Sequence, residues 1–73
     1  MKGFIEVNID MSVVTSDKFG LSVDNIGGYE SYTIHLKHNI FLHQKISGTI
    51  LPYQYLLVKE TYEEIKKKIE EAQ

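Results

Sequence analysis

The chain has 73 residues and a formal charge of −2, from ten acidic residues against eight lysines, with no arginine and no cysteine. That length allows one domain, 1–73, which buries only about 60% of the surface its unfolded chain exposes. Disulfides and thiolate–metal staples are excluded, and a chain without guanidinium groups or net positive charge is poorly suited to duplex nucleic acid.

Phe4 to Ile9 opens the fold as a half-buried strand, because Ile5, Val7 and Ile9 alternate with Glu6, Asn8 and Asp10. Met11 to Val14 continues or restarts a strand, and Thr15 to Lys18 is a polar break, with Gly20 where a hairpin needs a permissive residue. Leu21, Val23 and Ile26 mark a second strand. Gly27-Gly28 follows as a bulge or turn, and lacks both the pattern and the following helix of a phosphate loop. Tyr32, Ile34 and Leu36 give the core face of a third strand. Lys37-His38-Asn39 is a plausible tight connection to a fourth strand, Ile40 to His43. Gln44 to Gly48 reads as a loop. Thr49 to Lys59 is the most β-prone stretch, where Pro52 marks an edge or a bend between two shorter strands. Thr61 and Glu64 then form a capping box for a helix to about Ala72, with Tyr62, Ile65, Ile69 and Ala72 in one stripe. Glu63–Lys67 and Glu64–Lys68 are favourable i,i+4 pairs, so the lysine run is a solvated helix face.

The expected fold is α+β: four to five antiparallel strands (4–59) in a curved sheet or small open barrel, with one C-terminal helix (61–72) packed on one face. Its core comprises Ile5, Val7, Ile9, Leu21, Val23, Ile26, Ile34, Leu36, Leu56, Val58, Ile65 and Ile69.

Chemistry is sparse. His35, His38 and His43 cluster in sequence, and His35 could face His43 across a hairpin, but no placed third ligand makes a metal site. Glu6, Asp10, Asp24 and Glu30 lie on or beside strands, with nothing selecting two as an acid–base pair. No nucleophile motif is present. The chain is read as non-enzymatic, with no cofactor and no metal. Five tyrosines and three phenylalanines exceed what so small a core can hide, which suits an interface, since tyrosine combines rigid contact area with a polar tip. Tyr29, Phe41, Tyr53 and Tyr55 are the candidate partner-binding residues. The longest mostly apolar window, Ile46 to Val58, is too short to span a bilayer, and no signal peptide is evident. A cytoplasmic location is expected.

From Leu21 onward, Leu21-Ser22-Val23-Asp24-Asn25-Ile26, Thr33-Ile34-His35-Leu36 and Val58-Lys59-Glu60-Thr61-Tyr62-Glu63-Glu64-Ile65 with Ile69 carry a resemblance to a known family. Over about half of its length the chain resembles the small flagellar FlbD family and similar short phage and bacterial proteins. Their pattern is an alternating strand, a T-x-I-x-L strand and a short strand running into V-K-E-S-x-E-E-V-x-x-K-I. This chain departs from it by inserting Asn39 to about Tyr53 where the family has a two-residue turn. The resemblance implies a compact domain that works by binding another protein.

The function expected is a non-enzymatic protein-interaction module of bacterial or phage origin, acting as a homo-oligomer and engaging a larger protein. An inhibitor of a host or defence protein, in the host cytoplasm if phage-encoded, fits that reading. The alternative is a small-ligand or nucleotide sequestering protein, with pockets between protomers lined by His35, His43 and Tyr53.

Overall fold

The computed structural model describes residues 3–73; Met1 and Lys2, part of the expected 1–73 domain, lie outside the described residues. Five strands and one helix follow in chain order: β1 (Phe4–Asn8), β2 (Lys18–Ser22), β3 (Ile26–Glu30), β4 (Thr33–His43), β5 (Ile50–Leu57) and α1 (Tyr62–Ala72). A single 3₁₀ turn, Val23–Asn25, separates β2 from β3.

The strands form two antiparallel sheets, β1-β2 and β3-β4-β5, rather than one curved sheet or an open barrel. In the first sheet Ile5 pairs with Leu21 and Val7 with Phe19, so the apolar set of each strand faces inward. Gly20 pairs with Glu6 inside β2 instead of making a turn. The 3₁₀ turn ends β2 where the alternation predicted a continuing strand. The two sheets meet at the bridge between Ile9 and Val58, flanked by Asp10 N–H donating to the Leu57 carbonyl and Lys59 N–H to the Asn8 carbonyl. A junction this narrow does not close a barrel.

The expected third and fourth strands are one strand. β4 runs through Lys37-His38-Asn39 without turning, and its register against β5 slips between His35 and Ile40. The side-chain amide of Asn25 explains why. Its Oδ1 accepts from His38 N–H (2.7 Å) and its Nδ2 donates to the His38 carbonyl (3.2 Å). A side chain thus stands in for a missing strand neighbour and keeps the backbone extended.

The turns lie elsewhere. Ser31 and Tyr32 connect β3 to β4, with Tyr32 at φ 71°, and a loop including Gly48 at φ 70° connects β4 to β5. Gly27 and Gly28 sit within β3 at a register shift, making the pair a bulge.

Burial follows the alternation. Ile5, Val7, Ile9, Leu21, Ile34, Leu36, Leu56, Val58 and Ile65 are buried, and Val23, Ile26 and Ile69 pack partly buried against them. Val14, Ile40, Leu42 and Ala72 also belong to this cluster. The helix carries the expected capping box: Thr61 N–H donates to Glu64 Oε1 (2.9 Å) and Glu64 N–H to Thr61 Oγ1 (3.3 Å). At its other end the Ala72 carbonyl accepts from Gly3 N–H (2.8 Å), with Gly3 at φ +84°. Among the described residues, no helix is long and apolar enough to cross a membrane.

Candidate interaction surface

The β4–β5 hairpin extends beyond β3 and ends in the loop from Gln44 to Thr49. Residues 13–15 run along the distal edge of β4 opposite β5. Thr15 N–H donates to the His43 carbonyl and Lys45 N–H to the Val13 carbonyl, around the bridge between Val14 and Gln44. The molecule is elongated, with extents of 37 × 20 × 20 Å.

Ladder parity assigns the two faces of this hairpin. Gln44 N–H donates to the Thr49 carbonyl, so the hydrogen-bonded pairs going down the ladder are Leu42 with Leu51 and Ile40 with Tyr53. Ile40 and Leu42 are buried, which makes theirs the inner face. Phe41 with Pro52 and His43 with Ile50 are the intervening pairs, on the outer face, where cross-strand side chains lie closest. The same parity turns the Pro52 ring nitrogen toward the open edge of β5, where no ladder donor is required.

The outer face carries Phe41, Pro52 and Ile50 beside His43, all of them exposed. Phe41 is 64% exposed and Ile50 53%, Ile46 at the tip is fully exposed, and Pro52 is exposed beside them. Farther along β5, Tyr55 is 44% exposed and pairs with exposed His35. No acidic or basic residue occurs from Ile46 to Val58. Val13 and Ile46 also line a shallow recess between the 11–15 segment and the hairpin tip, with Ser12, Gln44, Lys45 and Ser47.

Of the four aromatics singled out from sequence, the fold brings three to this hairpin. Phe41 and Tyr55 are exposed there. Tyr53 is half-buried, donating its hydroxyl to Gln44 Oε1 (3.1 Å) and meeting Tyr55 edge-on with ring centroids 6.2 Å apart. Tyr29 lies apart on β3, stacked on Tyr62 of the helix at 5.1 Å. Desolvation, and then the neighbouring Tyr62 phenol, push the Tyr29 hydroxyl above its ordinary pKa.

The expected facing of His35 and His43 across a hairpin does not occur. Both lie on β4, eight positions apart, a span of roughly 25 Å in extended chain. His35 Nε2 instead lies 3.5 Å from Glu30 Oε1, and Tyr53 pairs with Ile40 rather than with either histidine. Among the described residues, no three His, Asp or Glu side chains group to hold a metal.

Ile46, Ile50 and Leu51 stand neither in the expected core nor among the candidate contact residues, and all three are exposed. The signal that could have found them is the uncharged run itself, longer than one edge strand can bury. These features define a small α+β domain of two antiparallel sheets and one helix. The chain matches no protein family, no curated protein and no solved structure.

Proposed function

We propose that the protein is a non-catalytic protein-interaction module that engages its partner through the outer face of the β4–β5 hairpin. The observation that carries this reading is the uncovered apolar pairing of Phe41 with Pro52 on the outer face, together with exposed Ile46 and Ile50 on the run from Ile46 to Val58 that holds no charged residue. Apolar side chains scattered singly over a surface need no explanation, but a contiguous patch in water is costly unless something covers it. The hairpin is well suited to present such a patch. Its inner face is anchored in the core by Ile40 and Leu42, and its tip is tied down through Val13, Thr15 and Gln44.

Site-specific photo-crosslinking tests the reading. A photoreactive residue at position 41 should give a discrete crosslinked product in cells producing the protein. The same residue at exposed position 67 of the helix should give none, and Ile50→Lys should abolish the product at 41. Equal labelling from both positions, or none from 41, would contradict it.

A further inference from the structure

We infer that the open edge of β2 is a pairing site for a second copy of this chain, the two β2 strands running antiparallel about a two-fold axis at Gly20. The site lies apart from the hairpin face, so this inference and the module reading stand or fall separately. Ladder parity locates the edge. Ile9 N–H donates to the Asp17 carbonyl and Val23 N–H to the Gly3 carbonyl, so the hydrogen-bonded pairs of the first sheet include Ile5 with Leu21 and Val7 with Phe19. Lys18, Gly20 and Ser22 therefore turn their N–H groups away from β1. Among the described residues, nothing accepts from those donors, and nothing donates to the Lys18 and Gly20 carbonyls.

The other edges are protected. On β5 Pro52 withholds a donor, β3 is bulged at Gly27-Gly28, and the Asn8 end of β1 is taken by Glu60 and Lys59. β2 has none of these devices, and its five residues pair with β1 in unbroken register. Gly20 at its centre is not required by the chain's own fold. A Cβ there would meet nothing within 4 Å, and its φ lies outside the left-handed region. A mid-strand glycine weakens a strand, and the close approach of another backbone is what it permits.

The edge is self-complementary, which names the occupant. Pairing Gly20 with Gly20 of the second copy engages all three outward-facing residues. The glycines exchange both their bonds, and Ser22 N–H meets the Lys18 carbonyl of the second copy. On the exposed face Lys18 comes opposite Ser22, so no like charges meet across the strands, and Lys18 keeps Glu6 at 4.0 Å. On the other face half-buried Phe19 comes opposite Leu21. A two-fold interface requires this reciprocity of one surface with itself, whereas a strand of another protein does not.

Sedimentation equilibrium on the purified chain from micromolar to millimolar concentration tests this. The mass should climb from the 8.4 kDa of one chain toward twice that value. Gly20→Pro removes an edge donor that the β1–β2 ladder does not use, so it should stay monomeric with an unchanged circular dichroism spectrum. Ser22→Asp and Ser22→Lys set an opposite and a like charge against Lys18 of the second copy. They should tighten and weaken the dimer, respectively, several-fold. A wild-type chain monomeric at every concentration would overturn the inference, as would a folded Gly20→Pro chain that still dimerises. Should Gly20→Pro fail to fold, the Ser22 pair decides: equal dimer strength in the two variants would overturn it.

Discussion

Glu60, 5% exposed, closes the junction between the two sheets by accepting three hydrogen bonds from Asn8. Both carboxylate oxygens lie 3.1 Å from the Asn8 backbone N–H, and Oε2 lies 2.9 Å from its Nδ2. The Glu60 carbonyl meanwhile accepts from Tyr32 N–H (2.9 Å). One residue between β5 and the helix thus ties the end of β1 to the β3–β4 turn. Glu60→Ala leaves the Asn8 backbone donor without its partner, at a cost of about 1–3 kcal/mol. Asn8→Ala removes only the side-chain bond and should cost about 0.5–1.5 kcal/mol. Urea denaturation of both variants checks the order, and equal midpoints would contradict it.

Tyr32 is the sole non-glycine residue at positive φ among the described residues. Its backbone is held there by Glu60 and by Val58 N–H, which donates to the Tyr32 carbonyl (3.0 Å). An L-residue with a bulky side chain is disfavoured in this region by roughly 1–2 kcal/mol, whereas asparagine tolerates it. Tyr32→Asn should therefore raise stability, by about 0.5–1 kcal/mol. A lower melting midpoint would show that the half-exposed ring contributes more than the strain costs.

The helix start is pH-sensitive in a definite direction. Hydrogen bonds from the Thr61 backbone and side chain, helped by the Lys68 charge, hold the Glu64 carboxyl below the ordinary carboxylate range. A carboxyl depressed in the folded state adds stability that is present above its unfolded value and lost as pH falls through its folded value. Thr61→Ala should cost about 1 kcal/mol at neutral pH. It should also flatten the decline in melting temperature below about pH 4.5. An unchanged acid branch would show that other carboxylates control it.

Ile65 is fully buried and is the centre of the helix contact. Burying an aliphatic side chain of this size contributes roughly 1.5–3 kcal/mol, and an unpaired carboxylate in its place costs more. For a 73-residue domain, whose total stability is on the order of 4–11 kcal/mol, Ile65→Asp should abolish the melting transition. A retained transition would mean the helix is not docked. Ile69→Ala, at a partly buried site, should only lower the midpoint.

What could be read in the sequence was local. Ile5 with Val7, Ile34 with Leu36, and the Thr61–Glu64 box declared their elements through spacing alone, because period and cap are properties of a few adjacent residues. The course of β4 could not be read that way. Lys37-His38-Asn39 looks like a turn until Asn25, 13 residues upstream, takes both backbone groups of His38. Joining the two strands also places Ile40 and Leu42 in the core, leaves Phe41 exposed between them and separates His35 from His43. Glu60 was invisible for the same reason, since its partner Asn8 is 52 residues away. For the candidate surface, the tyrosine count drew attention to β5, yet the tyrosines are its more engaged residues. Phe41, Ile46 and Ile50 are its freest.

The most direct test of the outer-face account is a ¹⁵N-labelled amide spectrum recorded before and after addition of the protein captured by the crosslink at position 41. Shifts concentrated at 41, 43, 46, 50 and 55, with Tyr29, Tyr62 and Lys66 unmoved, are the predicted result. Shifts centred on the helix, or no change anywhere, would contradict contact through the hairpin.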